Sequence, residues 1–326
     1  MSAAARQVLQ DAWNGLGVIT SIEPVAEQGI NSVNYVVSCR RKGGTFRYLL
    51  KTVAPAEADQ LKRSATVQEL CSTHGAPVPP VVRCPDTGAR IVCRNDRADA
   101  LFGYCEGMPF QGTVEEATAV ATTLARVHRV LRTCVGTFPD PPMYQDLTEA
   151  ECATIRAALP RRPVDALETL VAQTLPGLPS IYRAVTDALG VHPWPAQVVH
   201  LDCGIDNVRF RRRGESALEA VLLDFGHLID GPRILAVSFA GHRFAGIEPA
   251  RVQAFLAAYH AIDALEPREL VHYPLFVCRE AIRRVNYVLR DHFVYQHTHW
   301  DRDLPGHVHD FYSHAAAWLR IHAERT

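Results

Sequence analysis

The sequence predicts an α+β fold of two lobes, a mainly β N-terminal lobe over residues 1–102 and a helical C-terminal lobe over residues 103–326. Residues 17–53 divide into three strand-like segments with turn residues between them. From Val114 onward, apolar residues recur every three or four positions, which indicates helices. Two further short apolar segments begin at Val198 and Val221, and each ends in polar residues. An apolar run of this length is typical of a buried strand.

The N-terminal lobe is expected to begin with a short amphipathic helix within residues 1–16. Three strands follow it, at Val18–Val25, Val33–Ser38 and Phe46–Val53. Gly43-Gly44 predicts the hairpin turn between the second and third strands. A further strand is expected from Arg90 to Arg94, after a turn.

Residues typical of helix starts and helix ends predict where the helices lie. Pro55 suits the first helical position and Gly75 the residue after the end, so a helix is expected over Pro55–Thr73. Thr113 and Glu116 have the spacing of a capping box at the start of the next helix. Later helices are expected near Glu149–Ala158 and, interrupted around residues 175–177, over Val164–Leu189.

Composition excludes several classes of protein. The chain has 326 residues, 48% of them hydrophobic and 21% charged, with a net charge of −1, which is typical of a globular protein and not of a nucleic-acid binder. No apolar run reaches the length of a membrane span, and residues 1–16 lack the apolar core of a signal peptide. The nine scattered cysteines include no C-x-x-C pair, which favours reduced thiols and a cytoplasmic protein.

The two late strands predict the chemistry. The first ends in His200, Asp202 and Asn207, and the second in Asp224 of Asp-Phe-Gly, seventeen residues after Asn207. Phosphoryl transfer requires a carboxylate to orient the attacking hydroxyl and oxygen ligands to hold Mg²⁺ against the phosphates. Asp202, Asn207 and Asp224 have these chemical types in that order.

Residues earlier in the chain indicate that the phosphates belong to a bound nucleotide. Lys51 ends an apolar strand, where an ammonium group is stabilised by an anion such as a phosphate; the alternative is a lysine reaching solvent at a strand end. The turn with Gly29, Asn31 and Ser32 has the small residues that let backbone N–H groups approach phosphates, although a plain hairpin loop has the same composition.

Two further assignments concern the same nucleotide. Glu57 and Glu69 are the candidates for an ion pair with Lys51, and Glu69 is the better placed. Residues 101–109 run from apolar positions into Gly and Pro, which predicts a hinge between lobes. Backbone groups near Gly103 and Tyr104 are expected to bind the adenine edge, unless this segment is only a surface turn.

Together these residues resemble the aminoglycoside phosphotransferase/choline kinase superfamily, a small-molecule branch of the protein-kinase-like fold. The resemblance covers most of the chain and rests on Gly29-Ile-Asn-Ser-Val-Asn-Tyr35, Lys51, Gly75-Ala-Pro-Val-Pro79, Leu124-Ala-Arg-Val-His128, His200-Leu-Asp-Cys-Gly-Ile-Asp-Asn207, Leu223-Asp-Phe-Gly226 and Gly231-Pro-Arg233. The first of these motifs and the helix before Gly75 are similar to type II homoserine kinases.

The resemblance implies a two-lobed protein-kinase-like fold with ATP and Mg²⁺ in the cleft. It implies Asp202 as catalytic base, Asn207 and Asp224 as metal ligands, and Lys51 on the phosphates. His200 is expected to pack and hydrogen-bond so that it holds the catalytic Asp202 loop. The chain departs from the family pattern after Arg233, where an aspartate that often follows is replaced by Ile-Leu-Ala-Val.

The expected function is therefore transfer of the γ-phosphate of ATP to the hydroxyl of a small molecule. A homoserine-like amino acid, a sugar, a nucleoside-like metabolite and an antibiotic all remain open as acceptors. A pseudokinase-like nucleotide-binding module without turnover is the alternative, and a protein kinase is disfavoured because no Ala-Pro-Glu segment follows Asp-Phe-Gly.

Two other clusters carry weaker hypotheses. Arg279, Arg283, Arg284 and Arg290 lie on one expected helix, which could present a basic face to an acidic substrate or only to solvent. The histidine-rich stretch over residues 297–309 could bind a metal ion, but a polar loop beside the substrate explains it as well.

Overall fold

The structure, a computed structural model, describes residues 3–25, 32–140, 145–159, 166–190, 193–213 and 217–296, together with a few positions between 313 and 320. The chain forms two compact units. The first comprises residues 1–135 and 202–228, and the second comprises residues 136–201 and 229–326. The predicted lobe boundary at residue 102 stays a prediction.

The first unit is built on an antiparallel sheet in the order β1-β2-β3-β5-β4. Its strands are β1 (Val18–Pro24), β2 (Ser32–Arg41), β3 (Gly44–Val53), β4 (Ile91–Cys93) and β5 (Ala98–Gly103). The hairpin between β2 and β3 pairs Arg41 with Gly44, and Gly43 and Gly44 both have positive φ, which glycine adopts without strain. The predicted strands and their hairpin are thus confirmed.

Alternation along β3 sends its side chains to two different helices. Leu50 packs with Leu9 of helix α1 (Ala3–Ala12), whereas Val53 packs with Leu61 of helix α2 (Ala58–Thr73). Since side chains two apart on a strand share a face, Lys51 lies on the same side as Val53. The sheet therefore presents Lys51 towards α2.

The rest of the first unit joins the sheet to the predicted catalytic motifs. Helix α3 (Val114–Leu131) begins with the predicted capping box between Thr113 and Glu116. It packs against the hairpin of β7 (Val208–Arg213) and β8 (Ala217–Leu222) through its buried apolar face, and the Thr123 hydroxyl donates to the carbonyl of Ala220 at 2.7 Å.

The second unit is mainly helical. It contains α4 (Glu149–Ala158), α5 (Ala166–Thr174), α6 (Leu178–Gly190), α7 (Arg233–Ala245), α8 (Pro249–His260) and α9 (Pro267–Leu289), with the strand pair β6 (Ala196–His200) and β9 (Leu228–Pro232). Helices α7 and α9 approach closely at Gly241, where a side chain would collide with the hydroxyl of Tyr273. The predicted interruption around residues 175–177 separates α5 from α6. No helix among the described residues is long and apolar enough to cross a membrane.

Ion pairs anchor α9 to the chain before and within α4. The Arg283 guanidinium lies 2.6 Å from the Asp140 carboxylate and 2.7 Å from Glu280. Arg290, just after α9, contacts the Glu151 carboxylate at 2.5 Å. Because buried charges are tolerated only when paired, these contacts fix the position of α9 against Asp140 and against Glu151 of α4.

The Arg290–Glu151 pair makes stability depend on pH. The hydrogen bond from Arg290 is the main reason why the pKa of Glu151 falls from 4.5 to about 2. A lowered pKa in the folded state stabilises the fold above the unfolded value, and that contribution is lost as pH falls from 4.5 towards 2.

We therefore expect Glu151→Gln to lower the urea midpoint of unfolding at pH 7, and the difference from the wild type to shrink as pH falls below 4.5. The measurement is urea unfolding at a series of pH values. Glu149→Gln, which changes an exposed carboxylate in the same turn, is the matched control. Parallel pH profiles for the wild type and Glu151→Gln would contradict the assignment.

Candidate active site

Lys51 and Asp224 form the centre of the site. The ammonium nitrogen of Lys51 lies 2.8 and 2.9 Å from the two carboxylate oxygens of Asp224. The Lys51 side chain is only 16% exposed and that of Asp224 is 41% exposed, so the pair has one buried and one open partner. Lys51 thus has the Asp224 carboxylate as its anionic partner in this structure, and its contact with phosphate stays a prediction.

Asp224 is held in an uncommon backbone conformation. Its φ is +44°, a left-handed value that aspartate tolerates better than most residues do. The N–H of Gly226 donates to Asp224 Oδ1 at 2.9 Å, which fixes the carboxylate direction. A Cβ at Gly226 would lie 3.0 Å from the same oxygen, so the glycine of Asp-Phe-Gly lets the chain turn tightly around the carboxylate.

The Asp202 loop is joined to this centre by hydrogen bonds. The Asn207 amide nitrogen donates to Asp202 Oδ2 at 2.8 Å and to the Asp202 carbonyl at 3.0 Å. The carbonyl of Asn207 accepts from the N–H of Leu223 at 2.8 Å, directly before Asp224. The structure therefore links four residues that the sequence predicts from three motifs: Lys51, Asp202, Asn207 and Asp224.

His200 ends strand β6, two residues before Asp202 along the chain, and its side chain is fully buried. A buried imidazole cannot contact a ligand that arrives from solvent. The expected role of His200 in holding the Asp202 loop stays a prediction.

Glu69 is the prediction that the structure corrects. Its carboxylate is bound by Arg83 at 2.6 and 2.7 Å and by Arg90 at 2.5 Å, and not by Lys51. The hydrogen bond from Arg83, with further help from Arg90, holds the pKa of Glu69 below its usual value. Two guanidinium groups outcompete one ammonium for this carboxylate, because each offers several N–H donors.

Glu69→Gln should therefore leave the KM for nucleotide and the kcat within about twofold of the wild type, while the melting temperature falls by a few degrees. Steady-state kinetics and thermal unfolding check the two halves of this prediction. Lys51→Ala is the comparison variant, since it removes the ammonium itself and should raise the KM for nucleotide. A large increase in that KM for Glu69→Gln would show that Glu69 joins Lys51 during turnover.

Gly103 and Tyr104 lie at the end of β5, but their N–H groups are already used. Gly103 donates to the carbonyl of Pro80 at 2.8 Å, and Tyr104 donates to the carbonyl of Arg47 at 3.1 Å. The Arg47 guanidinium also stacks 4.0 Å from the centre of the Tyr104 ring. The expected binding of an adenine edge by backbone groups near Gly103 and Tyr104 stays a prediction, and it would have to use groups other than these two N–H groups.

The predicted phosphate loop is only partly described. Gly29 and Asn31 lie outside the described residues. Ser32 begins strand β2, and its hydroxyl accepts from the Asn34 amide at 3.3 Å. Asn34 lies opposite Lys51 in the β2–β3 pairing, so the start of β2 leads into the site. Of the histidine-rich stretch, residues 297–309 also lie outside the described part of the chain.

Gln60 is a contributor to this site that the sequence analysis missed. From the first turn of α2, its amide donates to the carbonyl of Gly226 at 2.6 Å. A polar residue one turn into the helix after Lys51 is the only signal for it in the sequence, and many exposed residues give the same signal.

The arginines of α9 face inward rather than forming an open basic surface. Arg283 and Arg290 are 1% and 3% exposed and have the carboxylate partners described above. Arg284 stacks over the ring of Phe239 at 4.5 Å and donates to the carbonyl of Leu201 at 3.3 Å, directly before Asp202 in the chain. Each of these three guanidinium groups therefore contacts another part of the protein.

Comparison with known proteins decides the family. Residues 21–271 match the model of the phosphotransferase enzyme family, which is more than half of the chain. The chain belongs to this family. It is therefore a phosphotransferase, and the resemblance inferred from its motifs is confirmed. The similarity to type II homoserine kinases stays a prediction. A comparison with the curated proteins finds no match.

Several solved structures share the fold of this phosphotransferase. A spectinomycin phosphotransferase in complex with ADP and spectinomycin has a TM-score of 0.69 at 12% identity, over 98% of this chain and 99% of that chain. An aminoglycoside phosphotransferase from Alicyclobacillus acidocaldarius has a TM-score of 0.68 at 17% identity, over 97% and 95%. A microcompartment-associated aminopropanol kinase has a TM-score of 0.66 at 14% identity, over 99% and 98%. At these identities, the likeness establishes the protein-kinase-like fold.

Proposed function

We propose that this phosphotransferase moves the γ-phosphate of ATP to a hydroxyl group of a small molecule, with Mg²⁺ as the metal ion. One observation carries the proposal: Asp202, Asn207, Asp224 and Lys51 form a single hydrogen-bonded group within the first unit. Their chemical types are those that phosphoryl transfer uses, namely a base, two oxygen ligands and a cation for the phosphates.

Asp224 and Asn207 would hold the metal ion. Both offer oxygen atoms, which are the ligands that Mg²⁺ prefers, and Mg²⁺ takes its remaining ligands from phosphates and water. Because the Asn207 amide nitrogen donates to Asp202, the amide oxygen is left to face a cation. Among the described residues, no three His, Cys, Asp or Glu side chains form a metal cage, which fits an ion that arrives with the nucleotide. When bound, Mg²⁺ would neutralise charge on the β- and γ-phosphates.

Asp202 is the candidate base. Asn207 fixes one of its carboxylate oxygens, Oδ2, by the 2.8 Å hydrogen bond. The other oxygen is then available to orient the acceptor hydroxyl and to take its proton as the oxygen attacks the γ-phosphorus. Orientation and charge stabilisation are expected to supply most of the rate, since the transition state of phosphoryl transfer has little covalent bonding for a protein to assist.

Lys51 is expected to bind the phosphate chain. Its ammonium group now contacts both oxygens of Asp224, and a nucleotide would offer phosphate oxygens in their place. The exchange leaves the Asp224 carboxylate free to bind the metal ion. Lys51 and Asp224 thus hold each other in position until the nucleotide arrives.

The acceptor is proposed at the level of a hydroxyl-bearing small molecule. The solved relatives include proteins named for spectinomycin and for aminopropanol, which differ widely in size but both carry hydroxyl groups. A homoserine-like amino acid, a sugar, a nucleoside-like metabolite and an antibiotic remain the candidates. The nine cysteines are all free thiols, which supports a reducing, cytoplasmic location for this reaction.

The test is a phosphate-transfer screen against a panel of amino alcohols, hydroxy amino acids, sugars, nucleosides and antibiotics, with ADP release and product mass as readouts. Mg²⁺-dependent ADP formation that increases with one acceptor supports the proposal. Nucleotide binding without ADP formation under every condition would instead favour the module without turnover, and no nucleotide binding would overturn both.

A further inference from the structure

Gln60 makes a contact to which the proposed reaction gives no role. It lies in the first turn of α2, and its side-chain amide donates to the carbonyl of Gly226 at 2.6 Å. Gly226 is the last residue of Asp-Phe-Gly, two positions after Asp224. All three residues belong to the first unit, so the contact is a property of that unit alone.

Both polar main-chain groups of Gly226 have partners. Its N–H donates to Asp224 Oδ1 at 2.9 Å, and its carbonyl accepts from Gln60. Since glycine has more conformational freedom than other residues, partners at both groups restrict the rotation of the chain at this position. Gln60 therefore helps to hold in place the N–H group that orients the Asp224 carboxylate.

The backbone conformation of Asp224 makes such support important. Its φ of +44° is a left-handed value, and a residue other than glycine keeps that conformation only when its surroundings restrain it. A Cβ at Gly226 would lie 3.0 Å from Asp224 Oδ1 and 3.9 Å from Lys51 Nζ, so the chain at Gly226 passes close to both charged groups. A shift of Gly226 would therefore change the direction of the carboxylate.

Helix α2 holds the main chain of Gln60. Leu61 and Ala65 of this helix pack with Val53 of the sheet in one buried cluster, and the Ser64 hydroxyl donates to the carbonyl of Gln60 at 2.8 Å. Gln60 itself is exposed. Because substitutions of exposed residues usually change folding stability little, the main effect of its side chain is expected at the site and not on the fold.

We propose that Gln60 is a positioning residue for the metal ion: by binding the Gly226 carbonyl, it keeps the Asp224 carboxylate in the direction in which Mg²⁺ is bound together with the nucleotide. This proposal rests on the proposed function, in which Asp224 is a ligand of that ion. In this role Gln60 acts through Gly226 and not by contact with the ion. Its neutral amide supplies the N–H donor that a carbonyl requires, without adding a charge to the site.

The test measures how the melting temperature in the presence of saturating ATP depends on the Mg²⁺ concentration. Gln60→Met keeps the approximate length of the side chain and removes the donor. It should raise the Mg²⁺ concentration for the half-maximal rise about tenfold, since loss of a group that orients a metal ligand typically has an effect of this size. The melting temperature with ATP and a chelator should stay close to the wild-type value. If Gln60 only stabilised the fold, both melting temperatures would fall and the Mg²⁺ concentration would not change.

Two further variants separate the hydrogen bond from side-chain volume and from general effects of the helix surface. Gln60→Ala removes the donor and most of the side chain, and it should show the same shift as Gln60→Met. Thr66→Val changes a neutral, exposed residue of α2 whose hydroxyl donates within the helix, and it should keep the wild-type Mg²⁺ dependence.

The outcomes distinguish this proposal from the proposed function. Wild-type Mg²⁺ dependence in Gln60→Met, or an equal shift in Thr66→Val, would overturn the role of Gln60 and leave the metal-dependent function intact. A wild-type protein whose melting temperature with ATP does not respond to Mg²⁺ would overturn the metal-dependent function, and the role of Gln60 with it.

Discussion

Replacing Asp202 by asparagine should lower kcat at least ~100-fold while nucleotide still binds, since removal of a positioned acid–base group typically has an effect of this size. The amide keeps the shape of the carboxylate and can still accept the hydrogen bond from Asn207. It cannot take a proton from the acceptor hydroxyl. Single-turnover and steady-state rates of ADP formation, with nucleotide binding measured by calorimetry, test the prediction.

Asp206→Asn is the matched control for this variant. Asp206 lies in the same loop, but its side chain is exposed and makes no contact with the Lys51–Asp224 centre among the described residues. Its kcat should stay near the wild-type value. If Asp202→Asn turned over at a rate close to that of Asp206→Asn, Asp202 would not be the base.

Asp224→Asn is expected to abolish the Mg²⁺-dependent part of nucleotide binding, with a loss in affinity of at least about tenfold. The variant removes the negative charge that binds both the metal ion and Lys51. Asparagine also tolerates a positive φ, so the backbone at φ +44° should be kept. The measurement is the rise in melting temperature on adding ATP with Mg²⁺, compared with ATP and a chelator.

The control for the second variant is Asp59→Asn, which removes an exposed carboxylate from the first turn of α2 in the same unit. It should keep the full Mg²⁺-dependent rise in melting temperature. A normal rise in Asp224→Asn would mean that the metal ion is bound by other residues, and the assignment of Asp224 would have to be abandoned.

The parts of the fold that the sequence predicts well are those set by local chemistry. The strands around Lys51, the hairpin at Gly43 and the capping box at Thr113 each depend on residues within a few positions of one another. Asp202 and Asn207 are only five positions apart, so one short motif predicts that their side chains meet.

The parts that it predicts poorly depend on competition between distant partners. Glu69 has the right charge and lies on the right helix for Lys51, but Arg83 and Arg90 reach it from beyond the end of α2. The arginines of α9 have the spacing of a basic helix face, yet Arg283 is buried against Asp140, 143 residues earlier in the chain. Periodicity shows which residues share a face and not which groups face them.

The fixed position of Glu69 has a consequence for how such an enzyme can be controlled. In protein kinases, moving the helix whose glutamate pairs with the catalytic lysine switches the enzyme on or off. Here Glu69 is clamped by two arginines, and α2 reaches the Asp-Phe-Gly segment through the neutral Gln60–Gly226 hydrogen bond. Among the described residues, Lys51 therefore makes no ion pair with a carboxylate of α2. We expect a movement of α2 to reach the Asp-Phe-Gly segment through the Gln60 hydrogen bond and not through an ion pair with Lys51.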